Sequence, residues 1–382
     1  MTTAPAPATA GTAAGTLEPL SITWRGEQIP VVLPNRRDPR LKLSAVILTL
    51  HVLGQTLLDF KVSIAQIVIT IVACGLVESV LTFRSLRTLA WPASGILTGS
   101  SIAFILRASG TRPGDWWSLN GIEWFLLAGL IALLTKHLLR PQGRHLFNPS
   151  NIGIVWVLLV VGPNHVFAQY LWWGPNVLGV VLAYGVILLG AFWILRSVRM
   201  IPMAASFLVT FGLLIAVLAL TGSSFIALWH EGPIGGLSYW LNIALSPELL
   251  VFVFFMMSDP QTAPKAPTGR VVYGAAVAAV AAGLIALQPA EFGIKVAILA
   301  SLTVVCAFVP LIEAGTRRLQ AGHSTTAEAW PLGARLAAAV RRPAVVAAAI
   351  IALAAPLDTA ALSGNEQVIL IERGQVGKVN AQ

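Results

Sequence analysis

The chain has 382 residues, of which 56% are hydrophobic and only 11% are charged, and its formal net charge is +9. A soluble domain carries about 25% charged residues, so this composition excludes an ordinary soluble enzyme or binding module. The apolar residues form continuous blocks of about 20, the length that crosses a bilayer as a helix. The blocks predict an all-α integral membrane protein with about 10–11 transmembrane helices, and not a barrel of alternating strands.

Three regions follow along the chain. Residues 1–41 are predicted to be a disordered cytoplasmic tail without a signal peptide, in which residues 21–34 form a small hairpin on the membrane surface. Residues 42–315 form the membrane domain, and residues 316–382 hold a loop, a weaker candidate span and a C-terminal tail. The predicted spans lie near residues 43–59, 63–82, 89–107, 119–139, 149–168, 176–195, 202–221, 238–257, 271–288, 292–313 and, more weakly, 343–357.

The basic residues are distributed unevenly between the two sides of these spans. Before the C-terminal tail, one side holds only Lys61, Arg107, Arg112 and Lys295, and the other side holds eighteen Lys and Arg residues between Arg36 and Arg342. By the positive-inside rule the N-terminus is cytoplasmic. The positive charge therefore indicates topology and contact with anionic lipid, and not binding of nucleic acid.

Ionisable residues inside membrane spans are costly and often mark functional sites. His51, Gln55 and Asp59 are spaced four apart in the first predicted span and are expected to share one helical face, which is a candidate transport path. The alternative for His51 is a hydrogen bond between helices.

Glu78 is a further candidate for that path. The alternative interpretation of Glu78, without a functional role, is exposure at the membrane interface or pairing with Arg84 or Arg87. Lys295 is expected to extend its amine outward to the interface.

Pro247 interrupts an apolar block in "LSPELL" (245–250), which predicts a broken helix with Ser246 as its cap and Glu248 in the first turn. Broken helices mark substrate sites in many transporters, so Glu248 joins the candidate path.

The stretch "RHLFNPSNIGIVWVLLVV" (144–161) predicts a helix that begins at Asn148, because Asn caps free N–H groups and Pro149 suits the first turn. With Arg140, Arg144 and His145 beside it, this helix start favours an anion such as phosphate or carboxylate. The alternative is an ordinary helix cap.

The stretch "WPASGILTGSSIAFIL" (91–106) is rich in small and hydroxyl residues, including Ser94, Thr98 and Ser101. Such residues allow close helix packing or contact a ligand. Further along, "SDPQTAP" (258–264) lies in a proline-rich loop that is predicted to line a cavity or to be buried in protein. Its Asp259 is expected to pair with Lys265 or Arg270.

Other classes of site are not predicted. The two cysteines, Cys74 and Cys306, are expected to be buried thiols, and they cannot supply the four ligands of an iron–sulfur cluster. No catalytic set, phosphate-binding glycine loop or group of metal ligands can be recognised. The chain is therefore not interpreted as an enzyme in its own right.

Together these motifs resemble the RnfD/NqrB family of membrane electron-transport subunits over about residues 42–315. The resemblance is carried by "SGILTGSSIAFIL", by "TKHLLRPQGRHLFNPSNIGI" (135–154), by "MMSDPQTAPKAPTGRVVYG" (256–274) and by "VPLIE" (309–313). It implies an inverted-repeat core similar to urea transporters, a bacterial inner-membrane location, redox partner subunits and a flavin. Family members attach FMN at a Ser-Gly-Ala-Thr motif that is absent here, as in the UnbU-like branch found beside enediyne biosynthesis genes.

Covalent FMN is therefore not expected, and the resemblance implies a noncovalent flavin (FMN or riboflavin) or a quinone. The residues expected to bind it are Asn148, Pro149, Ser150, Asn151, Ser94, Thr98, Asp259 and Thr262. Two other hypotheses remain open. One is a transporter or channel whose path includes His51, Gln55, Glu78 and Glu248, and the other is a membrane scaffold without a ligand.

Overall fold

A computed structural model describes residues 20–34, 38–140, 143–173 and 176–321. These residues form mainly helices, which we number α1 (Pro39–Thr56), α2 (Ile64–Leu86), α3 (Ala93–Ile105), α4 (Ile122–Leu138), α5 (Pro149–Val161), α6 (Val177–Val198), α7 (Ile201–Leu220), α8 (Gly236–Ala244), α9 (Pro247–Val251), α10 (Pro267–Ile285) and α11 (Glu291–Ala321). Helix α9 continues directly into a π-helix, Phe252–Met256.

Short strands lie between the helices: β1 (Ser21–Trp24), β2 (Glu27–Val32), β3 (Leu89–Ala90), β4 (Leu106–Ala108), β5 (Val166–Ala168), β6 (Ser224–Phe225) and β7 (Ile234–Gly235). The predicted hairpin is confirmed, because β1 and β2 pair antiparallel, and β2 also pairs in parallel with β3.

Six helical segments in the described part are long and apolar enough to cross a membrane, as expected for a multi-pass membrane protein. They are α2, α6, α7, the segment from α8 through the π-helix, α10 and α11. Helices α3 and α5 are apolar but shorter, with 13 residues each. Each predicted span between residues 43 and 313 overlaps helical residues, although the span at 149–168 extends beyond α5 into β5 and the span at 238–257 is divided among α8, α9 and the π-helix. The weaker candidate at 343–357 lies outside the described residues.

The core is built around α5 and α11, whose residues are mostly buried. Helix α5 contacts α3, α4 and α11. In contrast, α2, α6 and α7 expose large apolar side chains along one face. In a soluble protein such faces would be unusual, but here they suit contact with lipid.

Small residues allow α3 to approach α2 closely, which confirms the expected packing. A Cβ atom placed on Gly99 would lie 2.7 Å from the backbone oxygen of Thr70, and one on Gly95 would lie 2.6 Å from that of Cys74. Both cysteines are buried free thiols, as expected.

The bundle has two distinct ends. Its basic end, as we call it, carries Arg40, Lys136, Arg144, Arg199 and Arg270. Arg270 donates a 2.8 Å hydrogen bond to the Arg199 carbonyl. The opposite end, which we call the aromatic end, carries Trp116, Tyr170, Trp172, Trp229 and Trp240.

One expectation about the first span was wrong. Helix α1 ends at Thr56, and Asp59 lies beyond it in a turn with a φ of 50°. Asp59 therefore does not continue the helical face of His51 and Gln55. The Gln55 amide instead donates to the Val62 carbonyl at 2.7 Å and holds the turn that leads into α2.

Candidate functional site

A cavity of about 390 Å³ opens at the basic end, between the starts of α1, α3 and α5, the end of α6 and the segment that follows the π-helix. Six of the eight residues predicted to bind a cofactor line this cavity: Ser94, Thr98, Asn148, Pro149, Ser150 and Asp259. Residues from three separate stretches of the sequence therefore meet at one place.

Asn148 is the N-cap of α5, as predicted, with Pro149 in the first turn. Its Oδ1 atom accepts hydrogen bonds from the Asn151 backbone N–H at 3.1 Å and from the Ser150 hydroxyl at 3.0 Å. Its Nδ2 atom donates to the Met256 carbonyl at 3.1 Å. One side chain thus caps α5 and ties it to the last residue of the π-helix.

The other two predicted cofactor residues, Asn151 and Thr262, do not line the cavity. The Asn151 amide points into the core and donates to the Leu299 carbonyl at 2.9 Å and to the Thr303 hydroxyl at 2.8 Å. Thr262 is buried, and its hydroxyl donates to the Asp259 carbonyl at 3.3 Å.

Helix α3 presents two hydroxyls to the cavity. Thr98 and Ser101 are 5% and 9% exposed, and both line the cavity. Within the described part of the chain, neither hydroxyl has a hydrogen-bond partner. Buried hydroxyls usually have one, so these two are open to a ligand.

The charges at the cavity are paired. Arg40 forms an ion pair with Asp38 at 2.7 Å, and its hydrogen bonds lower the pKa of the Asp38 carboxyl below the usual value. His145 Nε2 lies 3.2 Å from the Asp259 carboxylate. The expectation that Asp259 pairs with Lys265 or Arg270 was therefore wrong. The Arg270 side chain donates to the Pro264 carbonyl instead, and the backbone N–H of Lys265 donates to the Glu313 carboxylate.

Arg144 fixes the proline-rich loop beside the cavity. Its guanidinium donates to the backbone carbonyls of Gln261 at 3.0 Å, Pro260 at 3.1 Å and Ala263 at 2.7 Å, and lies 3.5 Å from the Glu313 carboxylate. Three backbone carbonyls of this non-helical loop thus have hydrogen-bond partners within the protein, which is what such backbone needs in a membrane domain.

Glu78 belongs to a buried polar cluster next to the cavity. Its carboxylate pairs with the Lys136 ammonium and, at 3.2 Å, with His137 Nε2. Lys136 also donates to the Ser94 hydroxyl at 2.8 Å, which connects the cluster to the cavity wall. Glu78 is 8% exposed, so the expected alternatives, pairing with Arg84 or Arg87 and interfacial exposure, were wrong.

His51 makes the hydrogen bond between helices that was expected as its alternative, with Nε2 3.2 Å from the Ser100 carbonyl. Its ring also meets Phe104 edge-on at 5.4 Å. Neither His51 nor Gln55 lines the cavity.

The predicted break near Pro247 is confirmed. Helix α8 ends at Ala244, and α9 begins after the N-cap Ser246, whose hydroxyl accepts a bond from the Leu249 N–H at 3.1 Å. Glu248 is 8% exposed, and its Oε2 atom has no hydrogen-bond partner in the described part. This carboxyl interacts electrostatically with the positive charges of Lys295 and Arg107 and with the negative charge of Glu291.

Lys295 does not extend to the interface, because it is only 2% exposed. Its ammonium donates to the carbonyls of Ala168 at 3.0 Å and Gln169 at 2.7 Å and lies 3.4 Å from Glu291. Arg107 donates to the same Ala168 carbonyl at 3.2 Å. This role could not be predicted from local sequence patterns, because the carbonyls that accept from Lys295 belong to β5 and the residue after it, which only the fold brings next to α11.

Tyr170 follows β5 and is surrounded by cations. Lys61 donates to its hydroxyl at 3.1 Å, and the Arg107 guanidinium lies 4.1 Å from its ring centre. Burial raises the pKa of Tyr170, but the charges and hydrogen bonds of Arg107 and Lys61 outweigh that effect. The net pKa is therefore below the ordinary value of 10.

Comparisons with known proteins do not assign a function to this site. No protein-family model matches the chain, and no curated protein matches it either. The functional interpretation therefore depends on the cavity and its lining.

Proposed function

We propose that this chain is a membrane subunit of RnfD/NqrB type that binds a neutral flavin or a quinone, without a covalent bond, in the cavity at the basic end. The proposal is supported chiefly by one observation, the meeting of Ser94, Thr98, Asn148, Pro149, Ser150 and Asp259 around this cavity. A flavin or quinone would supply reversible electron acceptance, and the protein would supply binding, orientation and a protected site.

The size and composition of the cavity suit such a ligand. Its volume of about 390 Å³ falls within the range of ligand pockets, roughly 300–1,000 Å³. Apolar side chains of Leu43, Leu97, Ile194, Val198 and Phe255 form part of its wall. A redox ring needs an apolar surface for its faces and a few hydrogen bonds at its edge. The apolar part of the wall supplies the surface, and Thr98 and Ser101 supply the hydrogen bonds.

The charge arrangement favours a neutral ligand over a phosphate ester. Arg40 is paired with Asp38, and His145 with Asp259. The start of α5, which would otherwise attract an anion, is capped by the Asn148 side chain. A phosphate would therefore meet carboxylates and a filled helix cap, so the proposal favours riboflavin or a quinone head over FMN.

The packing of the helices is compatible with the two inverted repeats implied by the family resemblance. In this proposal α1–α5 form one repeat and α6–α11 the other. Helix α1 packs on α6, and α5 packs on α11, which are pairs of corresponding helices. Within the halves, α4 packs on α5 as α10 packs on α11. Since the basic end carries most Lys and Arg, we propose that it faces the cytoplasm across a bacterial inner membrane.

Binding of soluble probes tests the proposal. Riboflavin fluorescence quenching would be measured with the purified full-length protein in detergent, alongside FMN and a short-chain ubiquinone competitor. We expect riboflavin or the quinone to bind more tightly than FMN, and the double variant Thr98→Val/Ser101→Ala to weaken that binding about tenfold, as lost hydrogen bonds predict.

The control for this experiment is Thr49→Val, because Thr49 is exposed and its hydroxyl is bonded only within α1. This variant should bind as the unmodified protein does. If neither riboflavin nor the quinone binds, or if Thr98→Val/Ser101→Ala binds as tightly as the control, the proposed site is wrong.

Transport is a second candidate function, favoured by Glu248. A buried carboxyl with an unpaired oxygen beside a helix break is the kind of group that carries a proton or cation through a membrane protein. Proton flux into dye-loaded proteoliposomes would test it. Under this function Glu248→Gln stops the flux and the exposed control Glu123→Gln does not. Equal flux in both variants removes Glu248 from the path.

A further inference from the structure

A groove of about 480 Å³ lies at the end of α2 and shares no lining residue with the cavity described above. It is lined by Ser79, Val80, Phe83, Arg84, Arg87 and Leu89. Because Glu78, in the same helix, pairs with Lys136, this end of α2 belongs to the basic end of the bundle. None of these residues entered the function proposed above.

The two arginines of the groove are not neutralised. Both are exposed, and neither forms an ion pair with any residue that the structure describes. The Arg87 guanidinium lies 5.7 Å from the centre of the Phe83 ring. This differs from Arg40 and Arg144, each of which has a carboxylate partner. The groove therefore offers two free positive charges.

An apolar track leads from the groove along α2. Val68, Val72, Leu76 and Val80 are spaced four residues apart and are 49%, 53%, 62% and 53% exposed. Residues at this spacing lie on one face of a helix, and Val80 itself lines the groove. The face that ends at the arginines is thus the lipid-facing side of α2.

The neighbouring hairpin indicates that the groove lies at the level of the membrane interface. Its strand β2 pairs with β3, where Val31 is opposite Leu89, a residue of the groove. Trp24 in the hairpin and Trp91 after β3 are 60% and 50% exposed. Tryptophans are typical of the level of lipid headgroups.

We propose that this groove binds one anionic phospholipid, with its phosphate between Arg84 and Arg87 and an acyl chain along Val80, Leu76 and Val72. The phosphate supplies the negative charge that the arginines lack, and guanidinium groups bind phosphate well. The apolar track selects a lipid over a soluble phosphate, because a soluble phosphate would leave the track unused.

Native mass spectrometry of the full-length protein in detergent, with added dioleoyl phosphatidylglycerol, tests this site. We expect Arg84→Gln/Arg87→Gln to lower the affinity for this lipid by about tenfold or more, as two lost charges predict. Arg84→Lys/Arg87→Lys keeps the charges and should retain most of the binding. The matched control is Arg317→Gln/Arg318→Gln, which removes two exposed charges from the end of α11.

The outcomes separate a specific site from general attraction. Loss in the Arg84/Arg87 glutamine variant, with retention in the Arg317/Arg318 variant, supports the proposal. Equal loss in both shows diffuse attraction and overturns it, as does retention in both. The zwitterionic dioleoyl phosphatidylcholine should bind more weakly. If dibutyryl phosphatidylglycerol or inorganic phosphate competes as well as the long-chain lipid does, the apolar track has no role and the groove is a soluble-phosphate site.

Discussion

The Asn148 side chain donates a hydrogen bond to the Met256 carbonyl, 108 residues further along the chain. This bond joins the first turn of α5 to the end of the π-helix, where Phe255 and Ser258 form one wall of the cavity and Asn148 forms another. The same side chain caps α5 through the Asn151 N–H. The shape of the cavity therefore depends on a single amide that serves two elements at once.

Replacement of Asn148 by alanine should cost more than loss of an ordinary helix cap. A cap contributes about 1 kcal/mol, and the unsatisfied buried carbonyl of Met256 would add about 1 kcal/mol or more. The matched control is Asn176→Ala, because Asn176 caps α6 through the Gly179 N–H and has no second described partner. Thermal unfolding in detergent should show a larger loss for Asn148→Ala. Equal losses would mean that the bond to Met256 adds nothing.

Local signals explain why some of this site was predictable and some was not. The Asn-Pro start at Asn148 and the Ser-Pro restart at Ser246 were predicted correctly because a cap is encoded within four residues. The partner of Asp259 was not predicted correctly, because His145 precedes Asp259 by 114 residues and only the packing of two loops brings them together. The buried position of Lys295 likewise depends on carbonyls of a distant strand.

Glu78 should be the most sensitive charged residue near the cavity. Replacing it with glutamine leaves the Lys136 ammonium without its carboxylate in a buried cluster, which costs about 3–5 kcal/mol when one partner of a buried pair is removed. The double variant Glu78→Gln/Lys136→Met removes both charges and should recover much of that loss. Thermal unfolding of Glu78→Gln, Lys136→Met and the double variant, beside the unmodified protein, completes a double-mutant cycle. Simple additivity of the two single losses would show that the pair is not coupled.

Close packing of α2 and α3 should make Gly99 intolerant of any side chain. Gly99→Ala places a Cβ atom 2.7 Å from the Thr70 backbone oxygen, so the helices must separate, at about 1–3 kcal/mol. Gly283 in α10 is the control, since a Cβ there meets nothing within 4 Å, and alanine in a helix is favoured over glycine by up to about 1 kcal/mol. The two substitutions should therefore shift the melting temperature in opposite directions. A stabilised Gly99→Ala would contradict the close approach of the two helices.

Tyr170 should lose its proton below pH 10, because Arg107 and Lys61 lower its pKa. Its pKa in the folded state is below that in the unfolded state, so at pH values between these two pKa values the unfolded state binds more protons. The contribution of Tyr170 to the free energy of unfolding therefore increases as pH rises through that range and is lost as pH falls. Difference absorbance at 295 nm between the unmodified protein and Tyr170→Phe should show an early-titrating phenol, and Lys61→Met should move it to higher pH. An unchanged titration in Tyr170→Phe would rule out this assignment.

The most direct test of the proposed function is the visible absorbance spectrum of the protein purified in detergent, followed by denaturation and identification of any small molecule released. The proposal predicts a flavin spectrum whose chromophore is freed by denaturation and identified as riboflavin, or a colourless protein from which organic extraction yields a quinone in near-equimolar amount. In Thr98→Val/Ser101→Ala the amount bound should fall, and in Thr49→Val it should not. Protein that carries neither molecule, purified from membranes that contain both, would contradict the redox function and leave transport through Glu248 as the better account.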